Sequence, residues 1–535
     1  MRNRLLLWIF VLLFAILMSL PWLVPHTGWL VLVGFLPLLL ADDVADHLGI
    51  KHFWWYYFGA FVLWNAATTF WVWNATAGGA IFAIIANAFQ MALIWAIFRF
   101  SKKRLSGVLP YIFLAVMWIA WERAYFDAQI SWPWLTLGNA FARTTHLVQW
   151  YSVTGSLGGS LWVWLTNLGI FGLMVSISDG KWFRFNAIAK LASLAGVLLV
   201  LVAPQVASLA MYRSYDEKSE GKLNVLIAQP NFDPYEKFTS MTQAEQTEVL
   251  THLLDSAMTQ ESQLLIAPET FTGDIFLNNR ESSPTMVSLR SFLASHPGTE
   301  LLFGASTYEL FNQHSSPSIL ARQFSDGLWS ESHNSAILMD GGSSFDLFHK
   351  SKLVVGTELT PYPKIFVPLD DWLSKKMGVS GLMGRCIGQD SVSLLDFHGN
   401  VPIGCAVCYE SVYGEYCTQY VRKGAKLMTV ITNDAWWGNT PGYKQHMSYS
   451  RLRAIELRRD IARCGNTGIS AVIDQRGDVV SSTDWWTRTT LSGEVNLNSE
   501  QTFFVQNGDI VGRVCTLAFL LLAALLLVKA LIRRI

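Results

Sequence analysis

Hydrophobic residues form long runs at both ends of the chain, and the middle has a mixed pattern. Apolar runs dominate residues 1 to about 210, a mixed pattern fills about 211 to 508, and one more apolar run covers about 511 to 532. A membrane-spanning helix needs about 20 mostly apolar residues, because only intrahelical hydrogen bonds satisfy its backbone in hydrocarbon. The pattern predicts a seven-helix membrane domain at 1–210, a water-exposed domain at 211–508 and a C-terminal membrane helix at 509–535.

Eight windows have the apolar content of a spanning helix. They lie at Leu5–Leu23, Gly28–Ala41, Phe53–Trp73, Gly79–Phe98, Leu109–Phe126, Gly159–Ile177, Ala189–Leu209 and Val511–Ile532. The first follows Arg2 and Arg4, as a secretory signal would, but no small-residue cleavage site follows in residues 21–27. We therefore expect this segment to be a retained anchor.

Positively charged residues in short loops predict the orientation, because such loops stay in the cytoplasm. If eight spans alternate, one side carries Arg2, Arg4, Lys51, Arg99, Lys102, Lys103, Arg104, Lys181, Arg184, Lys190, Lys529, Arg533 and Arg534. Arg123 and Arg143 are the exceptions. We expect both termini in the cytoplasm and residues 211–508 in the periplasm, in a multi-pass protein of the bacterial inner membrane.

The central segment alternates short β-rich runs with helical stretches. The predicted strands are Leu223–Gln229, Gln263–Ala267, Glu300–Ala305, Asn334–Asp340, Val401–Val407, Leu427–Ile431 and Ile469–Ile473. The predicted helices are Thr242–Thr259, Thr285–Ser295 and Tyr443–Arg463. This pattern is typical of a layered α/β domain with its own core. A charged stretch at 213–221 is expected to be a linker.

Composition and charge disfavour a cytosolic enzyme and a nucleic-acid-binding protein. Charged residues make up 15% of the chain, against about 25% in soluble domains, which disfavours an ordinary cytosolic enzyme. Lys+Arg and Asp+Glu number 40 each, so there is no global basic field for binding nucleic acid.

The loop at about 127–158 contains Ser131–Leu135, which either folds back into the membrane edge or forms an ordinary interfacial loop.

The six cysteines include a C-x-x-C pair, Cys405 and Cys408. Residues three apart on a strand point to opposite faces about 10 Å apart, so a disulfide between these two is not expected. No second Cys/His pair with ligand spacing accompanies them, which disfavours zinc. Two alternatives remain: a thiol with a chemical role, or two buried structural cysteines.

Three polar side chains follow apolar strands, and strand ends converge at one edge of a layered α/β domain. They are Glu269, Lys350 and Cys408. Each of these residues alone is more often structural than catalytic at a strand end, but together they provide a nucleophile, a base and a cation. Cys408 would be the nucleophile, Glu269 its base, and Lys350 a cation that stabilises thiolate and oxyanion, with the backbone N–H of Tyr409 as a further donor.

The local strings A-P-E-T, F-H-K-S-K-L-V, C-Y-E and N-D-A-W-W-G, in this order, resemble the nitrilase superfamily. The resemblance implies an α-β-β-α sandwich. With the flanking spans and Trp132-Pro133-Trp134, nearly the whole chain is similar to the apolipoprotein N-acyltransferase family. The expected fold is therefore eight transmembrane helices with a nitrilase-like sandwich inserted before the last.

The resemblance also assigns site residues. The catalytic triad falls on Glu269, Lys350 and Cys408, and supporting positions fall on Glu358, Asn334, Tyr409, Glu410 and Trp436. Before Glu358 the chain has Val355-Gly356-Thr357, which departs from the usual family motif. Turn and core roles explain Asn334 and Trp436 as well, and a surface pair explains Arg453 and Glu456. No cofactor and no metal are expected.

The implied reaction is acyl transfer through a Cys408 thioester. The donor would be a membrane phospholipid, and the acceptor the α-amino group of a diacylglyceryl-modified cysteine on an apolipoprotein. A monomer without nucleic acid is expected. One alternative is a membrane-tethered amidase of the same superfamily acting on a small molecule. A non-catalytic receptor and a transporter are disfavoured, the first because all three triad residues are present.

Overall fold

The computed structural model describes residues 2–237, 239–379 and 381–532. Its N-terminal part is helical, with 3₁₀ turns at Gly28–Leu30, Pro133–Leu135, Leu137–Phe141 and Thr145–Leu147. The helices are α1 Arg2–Leu23, α2 Val31–Gly34, α3 Leu36–His47, α4 Trp54–Thr69, α5 Val72–Ala75, α6 Ala77–Lys102, α7 Leu109–Tyr125, α8 Tyr151–Thr154, α9 Ser156–Ser178, α10 Lys181–Arg184 and α11 Ala187–Ser214. Arg533 and Arg534, used above for orientation, lie outside the described residues.

Six segments among the described residues are long and apolar enough to cross a membrane. They are Asn3–Leu23, Gly28–His47, Ala77–Lys102, Ser156–Ser178, Ala187–Ser214 and Ile510–Ile532. Two of the eight predicted spans correspond to the shorter helices α4 and α7, with 16 and 17 residues. Several membrane helices are therefore present, and the count of eight stays a prediction.

The second predicted span is interrupted at Phe35, between α2 and α3. Asn167 of α9 enters the backbone here: its Oδ1 accepts a hydrogen bond from Phe35 N–H at 2.8 Å. Its Nδ2 donates to Val31 O at 2.8 Å. Pro37, in the first turn of α3, also lacks the N–H of a regular helix. An inserted side chain and a proline both disturb the i→i−4 ladder.

The central domain contains two sheets and several helices. The strands are β1 Gly221–Gln229, β2 Leu264–Ile266, β3 Thr272–Phe276, β4 Glu300–Asn312, β5 Arg322–Ser325, β6 Leu328–Met339, β7 Phe345–His349, β8 Leu395–Phe397, β9 Val401–Val407, β10 Leu427–Thr432, β11 Ile461–Gly465, β12 Ala471–Ile473, β13 Val479–Ser482 and β14 Thr489–Leu497. The helices are α12 Gln243–Ala257, α13 Pro284–Ala294, α14 Pro363–Met377, α15 Gly414–Arg422, α16 Pro441–Leu457 and α17 Phe503–Asn507, followed by α18 Ile510–Ile532.

The strand order makes two mixed sheets. The first runs β14-β1-β2-β4-β6-β5, with β3 paired to β4 and β7 to β6; the second runs β13-β12-β11-β10-β9-β8. Side chains alternate along β1: Val225 and Ile227 share a core with Ile403 and Val430 of the second sheet. Leu226 and Ala228 face the other way, toward helices α12 and α13. The outer face of the second sheet packs on α15 and α16, so the layers are α-β-β-α, as predicted.

One predicted helix is wrong at its end. The stretch Tyr443–Arg463 was expected to be one helix, but α16 ends at Leu457 and β11 begins at Ile461. Arg458 has φ +49°, in the left-handed region that terminates a helix. The expected linker at 213–221 also begins inside α11, which continues to Ser214.

The segment around Trp132–Leu135 lies between the helix bundle and the α/β domain. Trp134 is buried, and its indole N–H donates to Gln445 Oε1 of α16 at 2.7 Å. Tyr449 of α16 donates its hydroxyl hydrogen to Trp134 O at 2.8 Å. This segment therefore joins the two parts of the chain, a role that neither loop interpretation included.

Candidate active site

The predicted triad residues follow strands that end at one edge of the two sheets. Glu269 comes three residues after β2, Lys350 directly after β7, and Cys408 directly after β9. Asn433, the first residue of the N-D-A-W-W-G string but not predicted as a site residue, follows β10 in the same way. Because β9 and β10 are parallel and adjacent, their carboxyl ends lie side by side.

Lys350 is the centre of a buried polar cluster. Its Nζ lies 3.0 Å from Glu269 Oε1 and 2.9 Å from Glu358 Oε1, and its side chain is 1% exposed. Asn334 Nδ2 donates to the same two oxygens, at 2.8 and 2.6 Å. Burial acts to lower the pKa of Lys350, but the charges of Glu269, Glu358 and Cys408 outweigh it and raise this pKa well above its ordinary value. The lysine is therefore a fixed cation.

The second oxygen of each carboxylate is held by backbone. Asn433 N–H donates to Glu269 Oε2 at 3.2 Å, and Val354 N–H donates to Glu358 Oε2 at 2.7 Å. The latter bond closes the loop that departs from the family motif, where Gly356 has φ +86° and supplies the turn. The loop has its own residues but still presents the acid to Lys350.

Cys408 has an unusual backbone conformation and a buried thiol. Its φ is +52°, in the left-handed region that non-glycine residues rarely adopt. Burial raises the pKa of the thiol well above its ordinary value, the charge of Glu269 raises it further, and Lys350 opposes both. A thiol in this state is neutral at rest and needs a base to become a nucleophile.

Glu410 is fully buried and connects two of these segments. Its Oε1 accepts hydrogen bonds from Ser351 N–H at 2.7 Å and Lys352 N–H at 3.1 Å, while Oε2 accepts from Val407 N–H at 2.8 Å. Burial raises the pKa of Glu410, and the three backbone donors act in the opposite direction. The side chain thus holds the residues after Lys350 against the end of β9.

Aromatic side chains from the helix bundle and from the α/β domain meet next to Cys408. Tyr409 stacks on Trp132, with ring centroids 5.9 Å apart. Trp71 of the bundle lies 4.6 Å from Trp437 between ring centroids, whereas the predicted site residue Trp436 contacts Tyr235 at 5.5 Å and is 36% exposed. Both halves of the chain therefore contribute apolar surface next to the polar cluster.

Cys405 lies apart from this chemistry. It is fully buried in β9 opposite Thr429, and burial raises the pKa of its thiol to about 12. All six cysteines belong to the described residues and are free thiols. Of the two alternatives left by the sequence, Cys405 has the environment of a buried structural cysteine.

Three buried residues behind Cys408 were not predicted as site residues: Asp434, the second residue of the N-D-A-W-W-G string, His446 and Arg463. His446 Nδ1 lies 2.8 Å from Asp434 Oδ1, and Arg463 donates to Asp434 Oδ2 at 2.7 Å. Burial acts to raise the pKa of Asp434, but Arg463 and His446 lower it overall. Asp434 follows a strand, so the strand-end rule would have found it; His446 and Arg463 carry no comparable pattern.

Cys408, Asp434 and His446 also offer ligand atoms within 4.8 Å of one another, the type of set that can hold a metal. Their donor set does not fit one well. Asp434 already accepts hydrogen bonds from Thr432, Arg463 and His446, and the cations Lys350 and Arg463 flank the set. Hydrogen bonds within the protein account for the side chains of Asp434 and His446.

Lys237 is a second buried lysine that the sequence did not indicate. Its Nζ donates to Thr270 O, next to Glu269. Burial lowers its pKa to about 8, and Glu269 opposes the shift. Lys237 thus places a second buried amine against the backbone next to Glu269.

Comparison with known sequences agrees with this fold. The family described as Carbon-nitrogen hydrolase matches residues 225–503, more than half of the chain, and the family described as Apolipoprotein N-acyltransferase N-terminal domain matches residues 14–169. An apolipoprotein N-acyltransferase of Chlorobaculum tepidum is 27% identical over 92% of this chain and 91% of its own length. One of Geobacter metallireducens is 27% identical over 82% and 78%. The chain belongs to the carbon-nitrogen hydrolase family.

Proposed function

We propose that this protein is an apolipoprotein N-acyltransferase of the bacterial inner membrane. The observation that carries the proposal is the buried Glu269–Lys350–Glu358 cluster next to the strained Cys408, set at the boundary with a bundle of apolar helices. Relatives of that name, similar over most of both chains, support the same activity.

The first half-reaction is acylation of Cys408 by a phospholipid. Glu269 takes the thiol proton, Cys408 Sγ forms a bond to the ester carbonyl carbon, and the C–O bond breaks. The proton returns from Glu269 to the departing alkoxide, which leaves as a lysophospholipid. Lys350 and the backbone N–H of Tyr409 stabilise the tetrahedral oxyanion between these steps.

The second half-reaction transfers the acyl group to the apolipoprotein. The α-amino nitrogen of the diacylglyceryl-cysteine attacks the thioester carbon, the C–N bond forms and the C–S bond breaks. Glu269 accepts the proton of the amine and returns it to the thiolate. The net product is an amide and a free Cys408, so no cofactor is required.

The surroundings of the site favour lipid substrates over a small amide. Acyl chains that stay in hydrocarbon avoid a transfer that costs about 0.8 kcal/mol per CH₂. Trp71, Trp132 and Trp437 border the site on the bundle side. Ile365 and Trp372 of α14 are 66% and 59% exposed, and such apolar surface suits contact with a bilayer.

The proposal includes a topology and a division of the chain. Eight spans place both termini in the cytoplasm and residues 211–508 in the periplasm, between the membrane segments 1–210 and 509–535. Arg123 is one of the two arginines that this topology places outside the cytoplasm. It pairs with Asp509, 3.8 Å away, and a paired arginine is compatible with this orientation. The protein acts as a monomer.

Intact mass spectrometry after incubation with phospholipid alone tests the function. Wild type should gain the mass of one acyl chain, and Cys408→Ala should gain none. A membrane-tethered amidase would stay unmodified by phospholipid and would instead hydrolyse small amides, which would overturn the proposal.

A further inference from the structure

We propose that His446 is a positioning residue that fixes the oxyanion-binding peptide of the nucleophile. This inference rests on the proposed function. His446 lies on α16, behind Cys408, and its side chain is fully buried. Its Nε2 lies 3.0 Å from the carbonyl oxygen of Cys408.

The hydrogen bonds define where His446 carries protons. Nδ1 lies 2.8 Å from Asp434 Oδ1 and 3.2 Å from the guanidinium nitrogen Nη2 of Arg463. Nε2 faces Cys408 O and Ser411 Oγ, each at 3.0 Å. Ser411 donates its own hydroxyl hydrogen to Cys408 O at 2.7 Å, which leaves its oxygen as an acceptor toward Nε2. A carbonyl oxygen can only accept a hydrogen bond, so the contact of Nε2 with Cys408 O at 3.0 Å places a hydrogen on Nε2, and His446 donates to Cys408 O.

The consequence follows from the geometry of a peptide bond. Cys408 O and Tyr409 N–H belong to one planar trans peptide, in which C=O and N–H point in opposite directions. When His446 and Ser411 hold the oxygen on the inner side, the N–H of Tyr409 is directed away from them. This N–H is the backbone donor proposed for the oxyanion.

The same contacts explain how Cys408 keeps its left-handed conformation. A non-glycine residue at φ +52° persists only where its surroundings determine it. The carbonyl of Cys408 accepts from Ser411 and from His446. His446 is in turn held by Asp434, which pairs with the fully buried Arg463. This network positions the peptide that follows Cys408, whereas Glu269 and Lys350 act on the reacting atoms.

A matched pair of variants tests the contact. Gln at position 446 places its amide nitrogen near the position of Nε2 and keeps a donor for Cys408 O. Asn places its amide nitrogen near the position of Nδ1 and keeps the bond to Asp434 alone. Single-turnover acylation by phospholipid should fall about 100-fold in His446→Asn, the lower end of the effect of a lost oxyanion donor, and stay within about 5-fold of wild type in His446→Gln.

Alkylation by iodoacetamide separates positioning from acid–base chemistry. Alkylation uses the same thiol and base but forms no oxyanion, so both variants should alkylate Cys408 within about threefold of wild type. Equal acylation in the two variants, or a loss of alkylation as large as the loss of acylation in His446→Asn, would overturn the inference.

Ser411→Ala covers the case in which His446→Asn does not fold. It removes the other donor to Cys408 O and leaves Asp434 and Arg463 untouched, so acylation should fall about tenfold with alkylation unchanged. Acylation at the wild-type rate in Ser411→Ala would contradict the inference. Failure of the wild type itself to form the acyl adduct would contradict the proposed function instead.

Discussion

The carboxylate of Glu410 accepts a hydrogen bond from Ser351 N–H at 2.7 Å, and Ser351 directly follows Lys350. Glu410 itself follows Cys408 by two residues. The backbone that carries the proposed cation is therefore tied to the backbone that carries the proposed nucleophile. Neither residue needs to touch a substrate for this bond to set the distance between the two.

Glu410→Gln should lower acylation about 10- to 100-fold. The amide can still accept from Ser351 N–H, but its nitrogen then faces Val407 N–H, and a buried unpaired donor costs about 1–3 kcal/mol. Single-turnover kinetics measure the loss. Glu494→Gln, an exposed glutamate of β14, is the matched control and should retain wild-type rates. Equal rates in both variants would show that the bond has no influence on the site.

The two cysteines of the C-x-x-C pair should differ in their effects. Cys408→Ala should abolish both the acyl adduct and the transfer, whereas Cys405→Ala should keep most of the activity, because Cys405 lies inside the sheet opposite Thr429. Intact mass and amide formation are the measurements. Comparable losses in the two variants would favour a redox or metal unit over a single nucleophile.

The convergence of the candidate site residues could be predicted from the sequence because strand ends are visible in a hydrophobic pattern. Glu269, Lys350 and Cys408 each follow an apolar run, and the topology brings such ends together. The hydrophobic pattern does not show which polar residues are buried by other parts of the chain. A surface ion pair was one possible explanation of Arg453 and Glu456, but these residues are 2% and 0% exposed.

The position of α16 excludes the surface explanation. This helix lies between the second sheet and the membrane bundle, so none of its faces is mainly solvated. Arg453 donates to Ser411 O and Val412 O at 3.2 and 2.8 Å as well as pairing with Glu456. A polar helix of this type has the sequence of a surface helix and the surroundings of a core. His446 was missed for the same reason.

The proposed topology predicts the accessibility of the segment between α11 and β1. Asp216 is exposed there. In intact cells Asp216→Cys should react with a membrane-impermeant maleimide added to the periplasmic side, and a reporter fused after Ile535 should be cytoplasmic. The control is Lys51→Cys, which lies in a positive loop and should react only after the membrane is permeabilised. The opposite pattern of labelling would reverse the orientation.

His349 should make stability fall in acid. Burial and the neighbouring His333 lower its pKa to about 4 from the usual 6.5. Below pH 6.5 this histidine binds a proton in the unfolded chain but not in the folded protein. The stability present above pH 6.5 is therefore lost as the pH falls toward 4. The shift corresponds to at most about 3 kcal/mol. Thermal midpoints in detergent between pH 7.5 and 4.5 should fall less steeply for His349→Gln; identical slopes would exclude His349 as a source.

The last prediction separates the roles of Glu269 and Lys350. Both half-reactions form an oxyanion, so Lys350→Met should slow acylation and transfer alike, by about 10² to 10³, at every pH. Glu269→Gln removes the proton acceptor, and it also removes the negative charge that raises the pKa of Cys408 while leaving Lys350 in place. The thiol of this variant should therefore ionise at lower pH than in wild type, and acylation should recover as the pH rises. Transfer should recover too, since the incoming amine loses its proton at high pH. Single-turnover formation and decay of the thioester between pH 6 and 10 give both rates. Recovery in Lys350→Met with a flat profile in Glu269→Gln would reverse the two assignments.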